Sequence, residues 1–148
     1  MTKWHIETPL GCKIEYIKRV GEIPQKMLLN NLISIMRKLE RLMNRALVTK
    51  NNWAGSNTTV LYNEFTNCSQ VLLHGHNIAT LDHNTKALKL SSCGYETVTT
   101  KSRLNAILEE IDYGCKVFQK QWNWYFRSNN NQTVDFIDGM ILSGGNIL

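Results

Sequence analysis

One periodicity constrains this chain more than any other feature. Leu28, Leu32, Ile35, Leu39, Leu42 and Ala46 recur at alternating steps of four and three, with Leu29, Met36 and Met43 in a row beside them. A helix of 3.6 residues per turn gathers such positions onto one face. The pattern therefore predicts an amphipathic helix from about Pro24 to about Val48. Pro24 suits a first helical position, where its missing N–H would have found no partner anyway. Arg37, Lys38, Arg41 and Arg45 fall on the polar side. A helix of about 25 residues spans roughly 37 Å, more than a small domain requires. Either it packs across its own sheet, or part of it packs against a second copy, because four-and-three spacing is also a coiled-coil seam. The width of the stripe favours self-association, as a homodimer or a higher homo-oligomer.

Beyond the helix the period shortens. Thr58 to Asn63, Gln70 to His74, Asn77 to Leu81 and Lys86 to Leu90 are β-like runs, the last two split by the turn signal from Asp82 to Thr85. Lys50 to Asn57 reads as a linker or long turn. A second helix is expected from about Lys101 to Ile111, with Leu104, Ile107, Leu108 and Ile111 on one face. Lys116 to Gln119 and Trp124 to Arg127 look like two arms of a hairpin. Thr133 to Leu142 suggests a last strand, and Ser143 to Asn146 a frayed end. Near the start, Ile14, Tyr16 and Lys18 alternate as a strand would. Strands interrupted by helices indicate an α+β fold, a small antiparallel sheet with a long N-terminal helix and a second, shorter one. With 148 residues, 43% of them hydrophobic, the chain suits a single domain over 1–148. Residues 24–48 would form the oligomerising helix and 58–142 the ligand-binding α+β part.

Chemistry-bearing residues are sparse. Cys12, Cys68, Cys93 and Cys115 are widely spaced, with no close pair of the kind zinc sites use. His74 and His76 flank Gly75 but have no third ligand type beside them. The other histidines, His5 and His83, accompany no nucleophile elbow. Neither a metal, a cofactor nor a catalytic residue is called for, and the expectation is a protein that is not an enzyme. The absence of an apolar leader or a membrane-length span points to a reducing cytoplasm. A net charge of +5 is compatible with anionic partners without requiring them.

The best candidate site runs from Gly94 to Leu108. A glycine turn bearing Tyr95 leads through Thr97, Thr99 and Thr100 into a helix expected to open on Lys101 and Arg103. Hydroxyls, free N–H groups and cations would meet at one helix N-terminus, a suitable place for a phosphate. Simple capping by Thr99 or Thr100 explains one threonine. It does not explain cations in a first turn, where the helix dipole disfavours them unless an anion is present. Asn105 offers a paired donor and acceptor, and Tyr95 either stacks on a base or packs in the core. Trp122, Trp124, Tyr125 and Phe126, beside Lys120 and Arg127, interleave rings with cations as nucleic-acid-binding surfaces do.

The run from Leu73 to Ala79 (Leu-His-Gly-His-Asn-Ile-Ala), Gly94–Tyr95, the segment from Thr99 to Asn105, Phe118–Gln119–Lys120 and Trp122 or Trp124 together resemble the phage anti-Thoeris sponge family, Thoeris anti-defence type one. The resemblance covers about Leu61 to Tyr125. It implies a phage-encoded immune-evasion protein that sequesters a cyclic ADP-ribose isomer without degrading it. Some members also bind cyclic oligonucleotides, and members assemble as dimers or hexamers. Carried onto this sequence, Tyr95 would stack on adenine, Asn105 would hydrogen-bond the ligand, and Lys120 would be the basic hairpin residue. The family's arginine pair has no counterpart here, so Lys101, Arg103 or Arg127 would have to replace it. The resemblance places the protein in the cytoplasm of the infected bacterial host. The alternative from the residues themselves is a phage nucleic-acid-binding protein.

Overall fold

The computed structural model describes residues 3–7, 13–17 and 25–148, with side chains from Leu28 onward. Strands β1 (Lys3–Glu7) and β2 (Lys13–Ile17) pair antiparallel with each other, in agreement with the alternation at Ile14 and Tyr16. Lys18, Pro24 and Cys12 lie outside the described residues, as does the side chain of His5.

Helix α1 (Gln25–Thr49) carries most of its burial in its C-terminal half, where Leu39, Met43, Ala46 and Leu47 are covered. Each of the larger three contributes roughly 1.5–3 kcal/mol by leaving water. The predicted stripe needs one correction: Leu42 is 41% exposed, and Leu47 takes its place in the core. A strict four-and-three seam drifts by about 20° per heptad around a straight helix, so the inward arc passes to Met43 and Leu47. In the N-terminal half Leu28 is buried, Leu29 and Ile33 are exposed, and Leu32, Ile35 and Met36 are only partly covered.

The main sheet has seven antiparallel strands in the order β12 (Asn146–Ile147), β11 (Met140–Ser143), β7 (Leu88–Leu90), β6 (His76–Asp82), β5 (Cys68–Leu73), β4 (Thr58–Asn63) and β3 (Trp53–Gly55). β4 (Thr58–Asn63) has the predicted bounds, and β5 (Cys68–Leu73), β6 (His76–Asp82) and β7 (Leu88–Leu90) lie within about two residues of theirs. One face is buried through Val60, Val71, Leu81, Leu88 and Leu90, and the other bears Gln70 and Lys89. Such one-sided burial is usual for antiparallel sheets. A register shift between Val71 and Leu72 lets Ile78 and Ala79 both point inward, although strand neighbours normally alternate. The expected linker contains a further strand, β3 (Trp53–Gly55), paired with β4. The Trp53 ring lies close against Gly55, where an added Cβ would come within 2.5 Å of Trp53 Cζ2. The asparagines around it hid that strand.

Helix α2 (Val98–Ile111) begins three residues earlier than expected. Strands β8 (Lys116–Lys120), β9 (Asn123–Arg127) and β10 (Thr133–Asp135) form a second sheet in the order β10-β9-β8. The single last strand expected from Thr133 to Leu142 is two strands in different sheets, because β11 (Met140–Ser143) crosses over to pair with β7. The expected frayed end is a hairpin instead. Gly144 and Gly145, at φ 61° and 82°, turn the chain into β12 (Asn146–Ile147), a conformation that favours glycine. Both helices, the seven-stranded sheet and the three-stranded sheet share one apolar core through Met43, Val71, Leu104, Ile107, Phe126 and Leu142. The fold is α+β, as the sequence predicts.

Candidate functional site

Three of the eight candidate residues meet in one cavity of about 440 Å³. Tyr95, Thr99 and Thr100 line it together with Thr97, Leu73, His74, His76, Ile78 and Ser92. Its rim is the β5–β6 turn, made tight by His74 and Gly75 at φ 51° and 81°. Two left-handed residues in succession give the turn whose twist suits a two-residue hairpin. The His74 N–H donates to Asn57 O at 2.8 Å, which fastens this turn to the β3–β4 loop. Across the mouth, the His76 and Tyr95 rings are tilted by 36° with centroids 4.8 Å apart.

The loop carrying Tyr95 is held by Ser92, which is buried. Its N–H and Oγ both donate to Asp138 Oδ1, at 2.7 and 2.8 Å, and its carbonyl accepts from the Tyr95 N–H. At the opposite wall Thr97, and not Thr99 or Thr100, is the N-cap of α2. Its Oγ1 accepts from the Thr100 N–H at 3.1 Å and shares a hydrogen bond with Thr100 Oγ1 at 2.9 Å. The Val98 and Thr99 N–H groups have no partner among the described residues. The cavity thus offers a partly apolar wall, one exposed phenol ring, several hydroxyls and the positive end of a helix. No lysine or arginine is among its described lining residues.

The other five candidates lie elsewhere. With Thr97 as cap, Lys101 ends the first turn and Arg103 lies beyond it, so the dipole argument for these two cations does not hold. Lys101 is half-buried on α2 and does not line the cavity. Arg103 is 1% exposed. Its Nη1 donates to Glu40 Oε2 at 2.9 Å, Nε to Thr58 Oγ1 at 3.1 Å and Nη2 to Asn57 Oδ1 at 3.3 Å. Asn105 points at β8, where its amide bonds both the N–H and the carbonyl of Val117. Lys120 and Arg127 are exposed on the β8–β9 hairpin.

His74, His76 and Ser92 were not among the sequence candidates for this cavity. Gly75 between the two histidines was a turn signal, but nothing local shows that His76 meets a ring nineteen positions later. Other concavities suit a ligand less well. One of about 890 Å³ is an open trough over the β4–β5 turn, lined by Asn51, Asn52, Asn63 and the exposed Phe65. A Ser–His pair, with Ser69 Oγ 2.7 Å from His83 Nε2, is buried on both sides and presents no nucleophile. Burial, assisted by Lys50 and Lys86, pushes the His83 pKa down, so the neutral imidazole is favoured. Cys68, Cys93 and Cys115 carry no disulfide, and burial pushes the Cys115 thiol pKa up, away from reactivity. No helix among the described residues is long and apolar enough to cross a membrane.

The fold and cavity define a small α+β protein with a half-open niche between a hairpin turn and a helix N-terminus. Residues 36–143 match the sequence profile of the Kyanoviridae Gp96 protein family, and the chain belongs to that bacteriophage family. The matched segment contains every residue lining the cavity. No curated protein and no solved structure matches the chain.

Proposed function

We propose that this phage protein captures a nucleotide-derived signalling molecule of the cyclic ADP-ribose class in the His76–Tyr95 cavity. It holds the ligand without altering it, in the cytoplasm of the infected host. The observation that carries this reading is the convergence of Tyr95, Thr99 and Thr100 on one cavity. Its volume of about 440 Å³ falls within the range of small-molecule sites, roughly 300–1,000 Å³. A base would stack on Tyr95, which His76 already supports from beside. A phosphate would meet the Thr99 hydroxyl and the two unpartnered N–H groups of the first turn. The resemblance to the anti-Thoeris sponges supports the same ligand class, with cyclic oligonucleotides as a second candidate.

Calorimetric titration with cyclic ADP-ribose isomers tests the reading, followed by heat release of the ligand and chromatography. Intact nucleotide is expected back. Tyr95→Ala is expected to weaken binding roughly 5- to 150-fold, the range of one ring–base stack. Its melting temperature should stay unchanged, because the side chain is more than half exposed. Undiminished affinity in that variant would remove the ligand from this cavity, and an altered nucleotide would make the protein an enzyme.

The same reading includes a homo-oligomer. The protein's own core covers α1 only in part, and Leu29 and Ile33 remain exposed side by side on its N-terminal half. A second copy of the helix would cover them. Sedimentation of a Leu29→Glu, Ile33→Glu variant should show a smaller particle than the parent. Equal masses for the two would rule out this surface.

A further inference from the structure

The β8–β9 hairpin presents a face that the cavity does not use. Strand alternation puts Lys116, Phe118 and Lys120 of β8 on one side, with Asn123, Tyr125 and Arg127 of β9. Val117, Trp124 and Phe126 on the other side are buried in the core. Phe118 and Tyr125 are direct cross-strand partners, stacked with centroids 5.6 Å apart and planes 29° apart. The Arg127 guanidinium lies 5.6 Å from the Phe118 centroid, and Lys116 sits opposite Arg127 in the register. Three cations therefore surround a pair of rings, and Asp135 of β10, beside Tyr125, is the carboxylate paired next to them.

The hairpin tip adds an independent observation. Gln121 and Trp122 both have left-handed φ, 51° and 69°, where Asn-Gly would turn the chain with little strain. A bulky residue there is unfavourable. Trp122 nonetheless occupies the position and is 89% exposed, so its indole contributes almost nothing to the core. Strain without burial is accounted for when the exposed ring meets something outside the protein.

We propose that this face binds single-stranded nucleic acid. Bases would stack on Trp122 and on the Phe118–Tyr125 pair, and Lys116, Lys120 and Arg127 would meet the phosphates. Charge complementarity selects the partner, since a polyanion with planar, unpaired bases satisfies the cations and the ring faces together. A duplex hides its base faces and could use only the cations. The site is separate from the cavity, so either can fail without the other.

The test is fluorescence anisotropy with a labelled oligothymidylate of about 20 nucleotides, against a duplex of equal length, from low to moderate salt. Tighter binding to the single strand is expected, falling steeply with salt. Trp122→Gly should weaken it roughly 5- to 150-fold. The same change should hold or raise the melting temperature, because glycine suits the turn. Lys120→Ala combined with Arg127→Ala should lower the salt slope by about 1.4, on the order of 0.7 for each phosphate that is no longer neutralised. Absence of binding at low salt, preference for the duplex, or equal affinity in Trp122→Gly would overturn the proposal. The first of these would leave a protein as the partner of the exposed indole.

Discussion

An Arg103→Ala chain is expected to lose about 3–5 kcal/mol of stability, the usual consequence of removing one partner from a buried ion pair. Total stabilities of about 5–15 kcal/mol leave such a variant poorly folded at 37 °C. The reason lies in what remains. Glu40 is buried, and its Oε2 accepts from Arg103 at 2.9 Å and from Ser102 Oγ at 2.7 Å. Without the guanidinium the carboxylate keeps one hydroxyl and no ion-pair partner among the described residues. Arg103→Lys should rescue little, because a single ammonium cannot reach Glu40, Thr58 and Asn57 at once. Arg103→Met combined with Glu40→Leu should recover most of the loss, since an apolar pair of similar volume removes both charges together. Urea denaturation of the three variants reads all of this. An Arg103→Ala protein within 1 kcal/mol of the parent would refute it. The change should also abolish ligand capture, though Arg103 itself does not line the cavity. Arg103 bonds Asn57, whose carbonyl holds the His74 N–H at the cavity rim.

That relay from Arg103 to the rim explains why the candidate site was only partly legible in the sequence. Tyr95, Thr99 and Thr100 lie within six positions, and a glycine turn running into a helix was enough to place them together. Lys101, Arg103 and Asn105 are as close in sequence, yet the helix points them in different directions. The deciding fact was the cap. Capping α2 at Thr97 and not at Thr99 or Thr100 shifts every position counted from the cap, which leaves Lys101 at the end of the first turn and Arg103 beyond it. An arginine amid Leu104 and Ile107 reads as surface charge until its partner is known, and Glu40 is sixty-three positions away. The fold was more legible, because periodicity is local: α1, β4 and the β8–β9 hairpin follow from their patterns. β3 and the split between β10 and β11 did not, since strands of three or four residues draw their definition from whichever strand they meet.

Asn105→Ala is expected to cost roughly 2–6 kcal/mol, from two backbone groups left without partners at about 1–3 kcal/mol each. Val117 sits on the free edge of β8 and turns its N–H and carbonyl away from β9. Asn105 Oδ1 accepts from the Val117 N–H at 2.8 Å, and Asn105 Nδ2 donates to the Val117 carbonyl at 2.9 Å. The side-chain amide supplies one acceptor and one donor, as a neighbouring strand would. It therefore locks α2 to the hairpin and closes an edge otherwise open to pairing with another chain. Asn105→Asp separates this role from any other. At neutral pH a carboxylate keeps the bond to the N–H but sets a negative oxygen against the carbonyl, so the variant should be about as unstable as Asn105→Ala. The fold then favours the protonated acid, which raises the pKa of Asp at this position above its unfolded value. Relative to the parent, stability should return as the pH falls through that raised value, because the acid O–H can donate to Val117. Thermal melts of Asn105, Asp and Ala proteins between pH 4 and 7 would show it. A pH-independent gap between Asp and Asn, or an Ala variant that melts with the parent, would mean that Asn105 is not the lock. Its amide would then be free for the ligand role that the family resemblance implies.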